Sequence, residues 1–292
     1  MKKFFNLFKV AKSIDMFINI ITISLAIFGL VMAVSASMTA SNNSTTMLVF
    51  ATIKQLVYLF IGYMLMVTAS KLYNHNLAKK LIMPLSLVMI GLLVSTILFG
   101  ETNGAYAWIK FKVGPMAFTI QPSEFAKGST TILLAMFLGD IAYNTPRSRK
   151  EIVQPVMIVV LVQTLIILVL QKDLGSALVL LMISYFISLI PSHPKLRKMQ
   201  NYMTILVIVG IFGSIFLLSD LGLNTVSKLP FIRPYQLQRF YDYANPFISP
   251  GGYQLSGSLI AFSRGGLFGT GLGQSVQKYG YLPEVRTDFI LP

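Results

Sequence analysis

Long apolar runs, broken by short polar interruptions, set the plan of this chain. Runs near 16–37, 50–70, 81–99, 121–142, 152–171, 174–191 and 201–219 each approach the roughly 20 residues an α-helix needs to cross a bilayer. They predict seven transmembrane helices. Beyond residue 220 the pattern changes. From Arg239 to Asp288, glycines, prolines and tyrosines alternate with the ionisable groups Arg239, Asp242, Arg264, Lys278, Glu284, Arg286 and Asp288. Glycines permit tight turns and close backbone approach, and a lipid-facing helix has no use for this mixture. The pattern predicts an all-α polytopic membrane protein in two parts: a seven-helix transmembrane bundle over 1–220, and a large extracytoplasmic loop over 221–292 that folds over a site.

Composition agrees. Of the 292 residues, 54% are hydrophobic and 12% are charged, whereas charged residues make up about a quarter of a soluble domain. The net charge of +14 does not point to nucleic acid, because the basic residues lie between apolar runs and not on one face. They fall at the N-terminus (Lys2, Lys3, Lys9, Lys12), at Lys71, Lys79 and Lys80, at Arg147, Arg149 and Lys150, and at Lys195, Arg197 and Lys198. These are alternate interruptions, so the excess of Lys and Arg in cytoplasmic loops predicts a cytoplasmic N-terminus. The first apolar run is too long for a signal peptide and lacks a clean small-residue cleavage site. Cysteine is absent, which removes disulfides and thiolate metal sites.

Candidate chemistry begins at the fourth run. Gln121-Pro122-Ser123-Glu124-Phe125-Ala126-Lys127 places Glu124 and Lys127 three residues apart at a helix start, where Pro suits the first turn and Glu suits the dipole. The pair reads either as a self-satisfied i,i+3 ion pair or as ionisable groups facing a polar cavity. Asp173, in the short turn Gln171-Lys172-Asp173-Leu174-Gly175, reads either as an N-cap with Ser176 as neighbour or as a site residue. Trp108 and Tyr106 fit an interfacial aromatic belt. The run Gly269-Thr270-Gly271-Leu272-Gly273 does not complete a dinucleotide fingerprint, there is no Walker motif, and His75 and His193 lack partners at metal-binding spacing. Nothing points to a bound nucleotide.

The segments GAYAWIKF (104–111), QPSEFAK (121–127), QKDLGSA (171–177) and 239–291 together resemble the shape, elongation, division and sporulation family, the FtsW/RodA-like proteins. SVQKYGYLPE (275–284) favours the FtsW branch. The resemblance spans essentially the whole chain. It implies a peptidoglycan glycosyltransferase of the bacterial plasma membrane, with an extracytoplasmic active site, that polymerises undecaprenyl-pyrophosphate-linked lipid II into glycan strands during cell division. Its implied partners are a class B penicillin-binding protein transpeptidase and the divisome proteins. Carried onto matching positions, it makes Asp288 of Thr287-Asp288-Phe289 the essential aspartate and assigns Gln121, Glu124, Lys127 and Arg239 to the substrate cavity, with Asp173 and Trp108 as further candidates. Three positions depart from the pattern: Ala107 where Arg is frequent, Gly257 where Gln is frequent, and Arg286 where His or a small residue is frequent. The resemblance also implies about three further helices after Pro292, and hence that 1–292 is C-terminally truncated and weakly active or inactive by itself.

The chemistry fits the residues. A pyrophosphate is a good leaving group, so chain extension needs one carboxylate to deprotonate the acceptor hydroxyl and positive charge for the departing group. Asp288 suits the first role. Lys127 and Arg239, together with a divalent cation (Mg or Mn) for which Asp288 is the candidate ligand, suit the second. The alternatives are a lipid II flippase or other cell-envelope transporter, since polar residues in a bundle also mark substrate pathways, and a scaffold that recruits a transpeptidase.

Overall fold

The computed structural model describes residues 16–40, 45–101, 104–113, 116–142, 148–227 and 234–279. Each predicted span is helical: α1 (Met16–Ala40), α2 (Thr45–Leu72), α3 (His75–Ser95), α4 (Pro122–Ala142), α5 (Arg149–Leu165), α6 (Leu174–Leu189) and α7 (Arg197–Leu217). Helix α3 starts at His75 and not near 81, because the Asn74 side chain caps it by accepting from the N–H groups of Asn76 and Leu77. A capping box between Ser148 and Glu151 opens α5, and Asp173 caps α6. In each case short polar side chains satisfy first-turn N–H groups that have no partner within the helix.

Among the described residues, five helices are long and apolar enough to cross a bilayer: Met16–Ala36, Thr52–Leu72, His75–Phe99, Val153–Leu170 and Arg197–Leu217. The two other predicted spans differ for separate reasons. Helix α4 carries Glu124, Lys127 and Asp140. Helix α6 has 16 residues, about 24 Å at the α-helical rise, which is short of the ~30 Å hydrocarbon thickness.

Two regions are more ordered than the hydropathy pattern indicates. The interruption at 100–120 contains an antiparallel hairpin of β1 (Ile109–Val113) and β2 (Met116–Ile120), with Ile109 opposite Ile120 and Phe111 opposite Phe118. The region after 220 contains α8 (Asp220–Ser227), α9 (Pro234–Ala244) and α10 (Tyr253–Gly265).

By contacts, the chain groups into two compact units, 74–211 and 1–73 with 212–292. This grouping follows packing, whereas the division at 220 follows hydropathy. In the 74–211 unit, Ile82, Leu133, Leu134, Leu138, Val156, Val159 and Leu196 form one buried cluster. Met89, Leu93, Ala126, Ile166, Ile167, Ala177 and Leu180 form a second. This second cluster brings together α3, α4, the end of α5 and the start of α6, so it underlies the segments carrying the candidate site. In the other unit, α1 packs on α2, and the Gly273 N–H donates to Ser35 Oγ on α1 at 3.0 Å. Gly273 has φ +70, a left-handed conformation that glycine adopts without steric cost.

Candidate active site

Helix α5 does not end as an α-helix. Its apolar C-terminal residues Ile166–Leu170 wind into a π-turn, the wider i→i+5 turn that recurs at functional positions. Gln171 N–H then donates to the Ile166 carbonyl at 3.0 Å and Asp173 N–H to the Ile167 carbonyl at 3.0 Å. The widened turn carries the Gln171 side chain, fully buried, to the end of α3. There its amide donates to the Leu93 carbonyl at 2.9 Å and to Thr96 Oγ1 at 3.1 Å. The Gln171 carbonyl accepts from the Tyr106 N–H at 2.9 Å. One buried glutamine thus joins α3, the segment preceding the hairpin and the α5–α6 turn.

Asp173 follows two residues later. Its Oδ1 accepts from Ser176 N–H at 3.0 Å. Its Oδ2 accepts from Ser176 Oγ at 2.7 Å and from Gln121 Nε2 at 3.0 Å. The first turns of α4 and α6 are therefore tied together, with Ser123 Oγ donating to Ser176 Oγ at 3.5 Å in the buried layer beneath. Both carboxylate oxygens of Asp173 are engaged by uncharged donors of the chain itself. The cap expected from the sequence is present, and the link to Gln121 is additional.

On the same first turn of α4, Lys127 Nζ donates to Glu124 Oε1 at 2.7 Å. Glu124 is 57% exposed and Lys127 17%, so this is the local i,i+3 pair. It is worth only about 0.2–0.5 kcal/mol in an exposed helix. Deeper in the bundle, Thr130 Oγ1 donates to Gln163 Oε1 at 2.6 Å, and both residues are fully buried. Trp108 is half-buried beside the buried Ala107. Glu101 raises the pKa of the Tyr106 phenol above its ordinary value, first by hydrogen bonding and then by its negative charge.

Lys172 sits between the anchored Gln171 and Asp173 with φ 57, and among the described residues it is the non-glycine residue with positive φ. That conformation costs an L-residue about 1–2 kcal/mol. Its ammonium lies 5.0 Å from the centroid of the Tyr106 ring, a cation–π contact worth about 0.5–1 kcal/mol at an exposed position. The contact does not offset the strain.

In the 1–73/212–292 unit, Arg239 is exposed on α9. Asp242 on the same helix accepts from Gln238 Nε2 at 2.9 Å and from Ser249 Oγ. Lys278 is buried, and burial pushes its ammonium pKa below the ordinary value. Gly257, one of the three departures, is buried in α10. Asp288, Arg286 and Glu284 lie outside the described residues. Among the described residues no group of three or more His, Asp or Glu side chains is placed to hold a metal ion. Of the candidates named from the sequence, the structure joins Gln121 to Asp173 and Glu124 to Lys127. Gln171 and Ser123 were not singled out, although buried polar residues within apolar runs are a signal of function, and neither was the exposed Lys172.

Several apolar helices, joined within the 74–211 unit by interhelical polar bonds, define a polytopic α-helical membrane protein. A family model described as cell cycle protein, covering FtsW, RodA and SpoVE, matches residues 15–292. The chain belongs to this family. It is 34% identical over 287 residues to a probable peptidoglycan glycosyltransferase FtsW from Coxiella burnetii, covering 95% of this chain and 70% of that protein. It is 32% identical over 284 residues to the stage V sporulation protein E of Bacillus subtilis, covering 94% and 70%. An Escherichia coli probable peptidoglycan glycosyltransferase FtsW is 32% identical over 276 residues, covering 92% of this chain and 60% of the relative. The chain thus spans between 60% and 70% of the length of these relatives.

Proposed function

We propose that this protein is a peptidoglycan glycosyltransferase of the division branch that extends glycan strands from lipid II. The observation that carries the reading is the Gln121–Asp173 hydrogen bond. It brings two family-like segments, 121–127 and 171–177, to one end of a bundle that exposes many apolar side chains. In this reading the acceptor sugar hydroxyl attacks the anomeric carbon of the donor, and the bond to pyrophosphate breaks. The proton passes to the Asp288 carboxylate, and undecaprenyl pyrophosphate leaves with the bonding electrons. Lys127 and Arg239 supply positive charge to the leaving group. The described residues offer no complete ligand set for a divalent cation, and no step is assigned to one.

This reading places the N-terminus in the cytoplasm and the Gln121–Asp173 end outside. A class B penicillin-binding protein is the partner that crosslinks the product. Because the chain has no cysteine, single cysteines introduced at either end of α4 report the orientation directly.

The decisive experiment supplies labelled lipid II to the purified full-length protein, with and without Asp288→Asn. Wild type is expected to make polymer. The variant, which can cap a helix as Asp does but cannot take a proton, is expected to bind lipid II without polymerising it. Polymerisation by the variant refutes the base assignment. Lipid II translocation without polymer from wild type replaces the enzyme by a transporter.

A further inference from the structure

We propose that Lys172 is an anion-binding residue of this site, its ammonium positioned to take a phosphate oxygen of a membrane lipid that carries its phosphate at the head. The inference deepens the polymerase reading, in which that lipid is the polyprenyl-pyrophosphate end of substrate or product.

Four observations carry it. First, the backbone at Lys172 is left-handed, at φ 57, and the Tyr106 contact does not offset the strain, so stability does not account for a lysine there. Observed strain of this kind is a pointer to function. Second, the flanking residues are fixed: Gln171 to Leu93 and Thr96, and Asp173 to Ser176 and Gln121. The backbone that carries the ammonium is therefore already ordered and need not be fixed on binding. Third, among the described residues Lys172 is in no ion pair. Both oxygens of the adjacent Asp173 are already engaged, Glu124 is paired with Lys127, and Glu101 acts on the Tyr106 phenol. It lies over the Tyr106 ring at 5.0 Å, which holds the side chain without neutralising it. Fourth, exposed apolar side chains flank the turn on both sides: Leu168, Val169 and Leu170 before it, Leu174 and Leu178 after it. A cation in no ion pair, within an exposed apolar rim, is complementary to an amphiphile with an anionic head and a hydrocarbon tail. A soluble anion would gain nothing from that rim.

The phosphate has two sources, a polyprenyl pyrophosphate or a bulk phospholipid, and the test separates them. Full-length wild type, Lys172→Gly, Lys172→Asn and Lys172→Arg are placed in phosphatidylcholine nanodiscs. Binding of undecaprenyl pyrophosphate is measured, then repeated with phosphatidylglycerol in the disc. Removing the ammonium is expected to weaken undecaprenyl pyrophosphate binding about tenfold, as for loss of one hydrogen bond to a charged group. Lys172→Arg should retain most of the affinity. Because glycine relieves the strain, the melting temperature of Lys172→Gly should equal or exceed that of wild type, an outcome that a purely structural latch does not give. If phosphatidylglycerol abolishes the difference between wild type and Lys172→Gly by competing in wild type alone, the site holds phospholipid phosphate, and the anion assignment stands. Equal affinity of all four proteins in phosphatidylcholine overturns it. So does weakened binding in proportion to a lowered melting temperature. The readout is binding without turnover, so a wild type that fails to polymerise refutes the proposed function and leaves this result intact.

Discussion

The tie between α4 and α6 gives a sharp test of the site's construction. In Asp173→Ala the N-cap is lost, at about 1 kcal/mol. The two bonds to Oδ2, from Ser176 Oγ at 2.7 Å and Gln121 Nε2 at 3.0 Å, are lost as well, at about 1 kcal/mol each net. The sum is about 3 kcal/mol. For a chain of this size each kcal/mol lowers the melting temperature by about 2–4 °C, so a fall of about 6–12 °C is expected. Asp173→Asn is the control. Its Oδ1 still caps Ser176, the Ser176 hydroxyl can accept from the new NH2 group, and Gln121 needs only to turn its amide so that oxygen faces nitrogen. Its cost should stay near 1 kcal/mol. Tryptophan fluorescence during heating in detergent measures both variants, and Trp108, the single tryptophan of this chain, lies close in sequence to Tyr106, which bonds to the same turn. Equal shifts for Ala and Asn would refute the reasoning, because the Oδ2 bonds would then contribute nothing.

Two further predictions follow from the same unit. Because Glu101 raises the Tyr106 pKa, the stabilisation from the protonated phenol is present below pH 10 and is lost as pH rises through the raised value. Glu101→Gln should therefore bring Tyr106 ionisation back toward 10.0, read as phenolate absorbance relative to Tyr106→Phe, and an unmoved midpoint would place the carboxylate elsewhere. Thr130→Val should cost about 1–3 kcal/mol by leaving the buried Gln163 carbonyl without its donor. The double variant Thr130→Val, Gln163→Met should recover most of that loss in a thermal melt, and failure to recover would mean that the pair is not coupled.

The helices were legible because a bilayer demands long apolar runs, and such runs dominate this sequence. Their ends were less so: the polar first turn of α3 and its Asn74 cap carry no hydropathy signal. The hairpin was missed although its signal is present, since Ile109, Phe111 and Val113 alternate with Lys110 and Lys112 in the period of two that marks a strand. Site features that depend on short spacings were readable, namely the Glu124–Lys127 pair and the Asp173 cap. The Gln121–Asp173 bond joins residues 52 apart in the chain and depends on how α4 and α6 pack. The π-turn was invisible, because Ile166–Leu170 is as apolar as any other helical stretch here. Recognition of Gln171 as a junction needed that turn to be seen first.

How the buried polar groups are satisfied decides where function and stability can be separated. Many buried hydroxyls bond back to their own helix: Ser86 to Ile82, Thr164 to Val160, Ser184 to Leu180 and Ser188 to Ser184. Such residues allow close packing without fixing one helix against another. Lipid tails are as apolar as leucine, so apolar contact gives membrane helices little reason to prefer each other over lipid. Interhelical polar bonds then carry a disproportionate share of the positioning, and in this unit they include those of Gln121, Asp173, Ser176, Gln171, Thr130 and Gln163, together with Tyr185–Thr204 and Gln200–Ser188 between α6 and α7. Substitutions at these residues are expected to change geometry and, under the proposed function, activity together. Glu124 and Lys172 are different, because their side chains are exposed and, among the described residues, no hydrogen bond ties them across helices. Loss of activity at those two positions, with the melting temperature unchanged, is a measurement of chemistry.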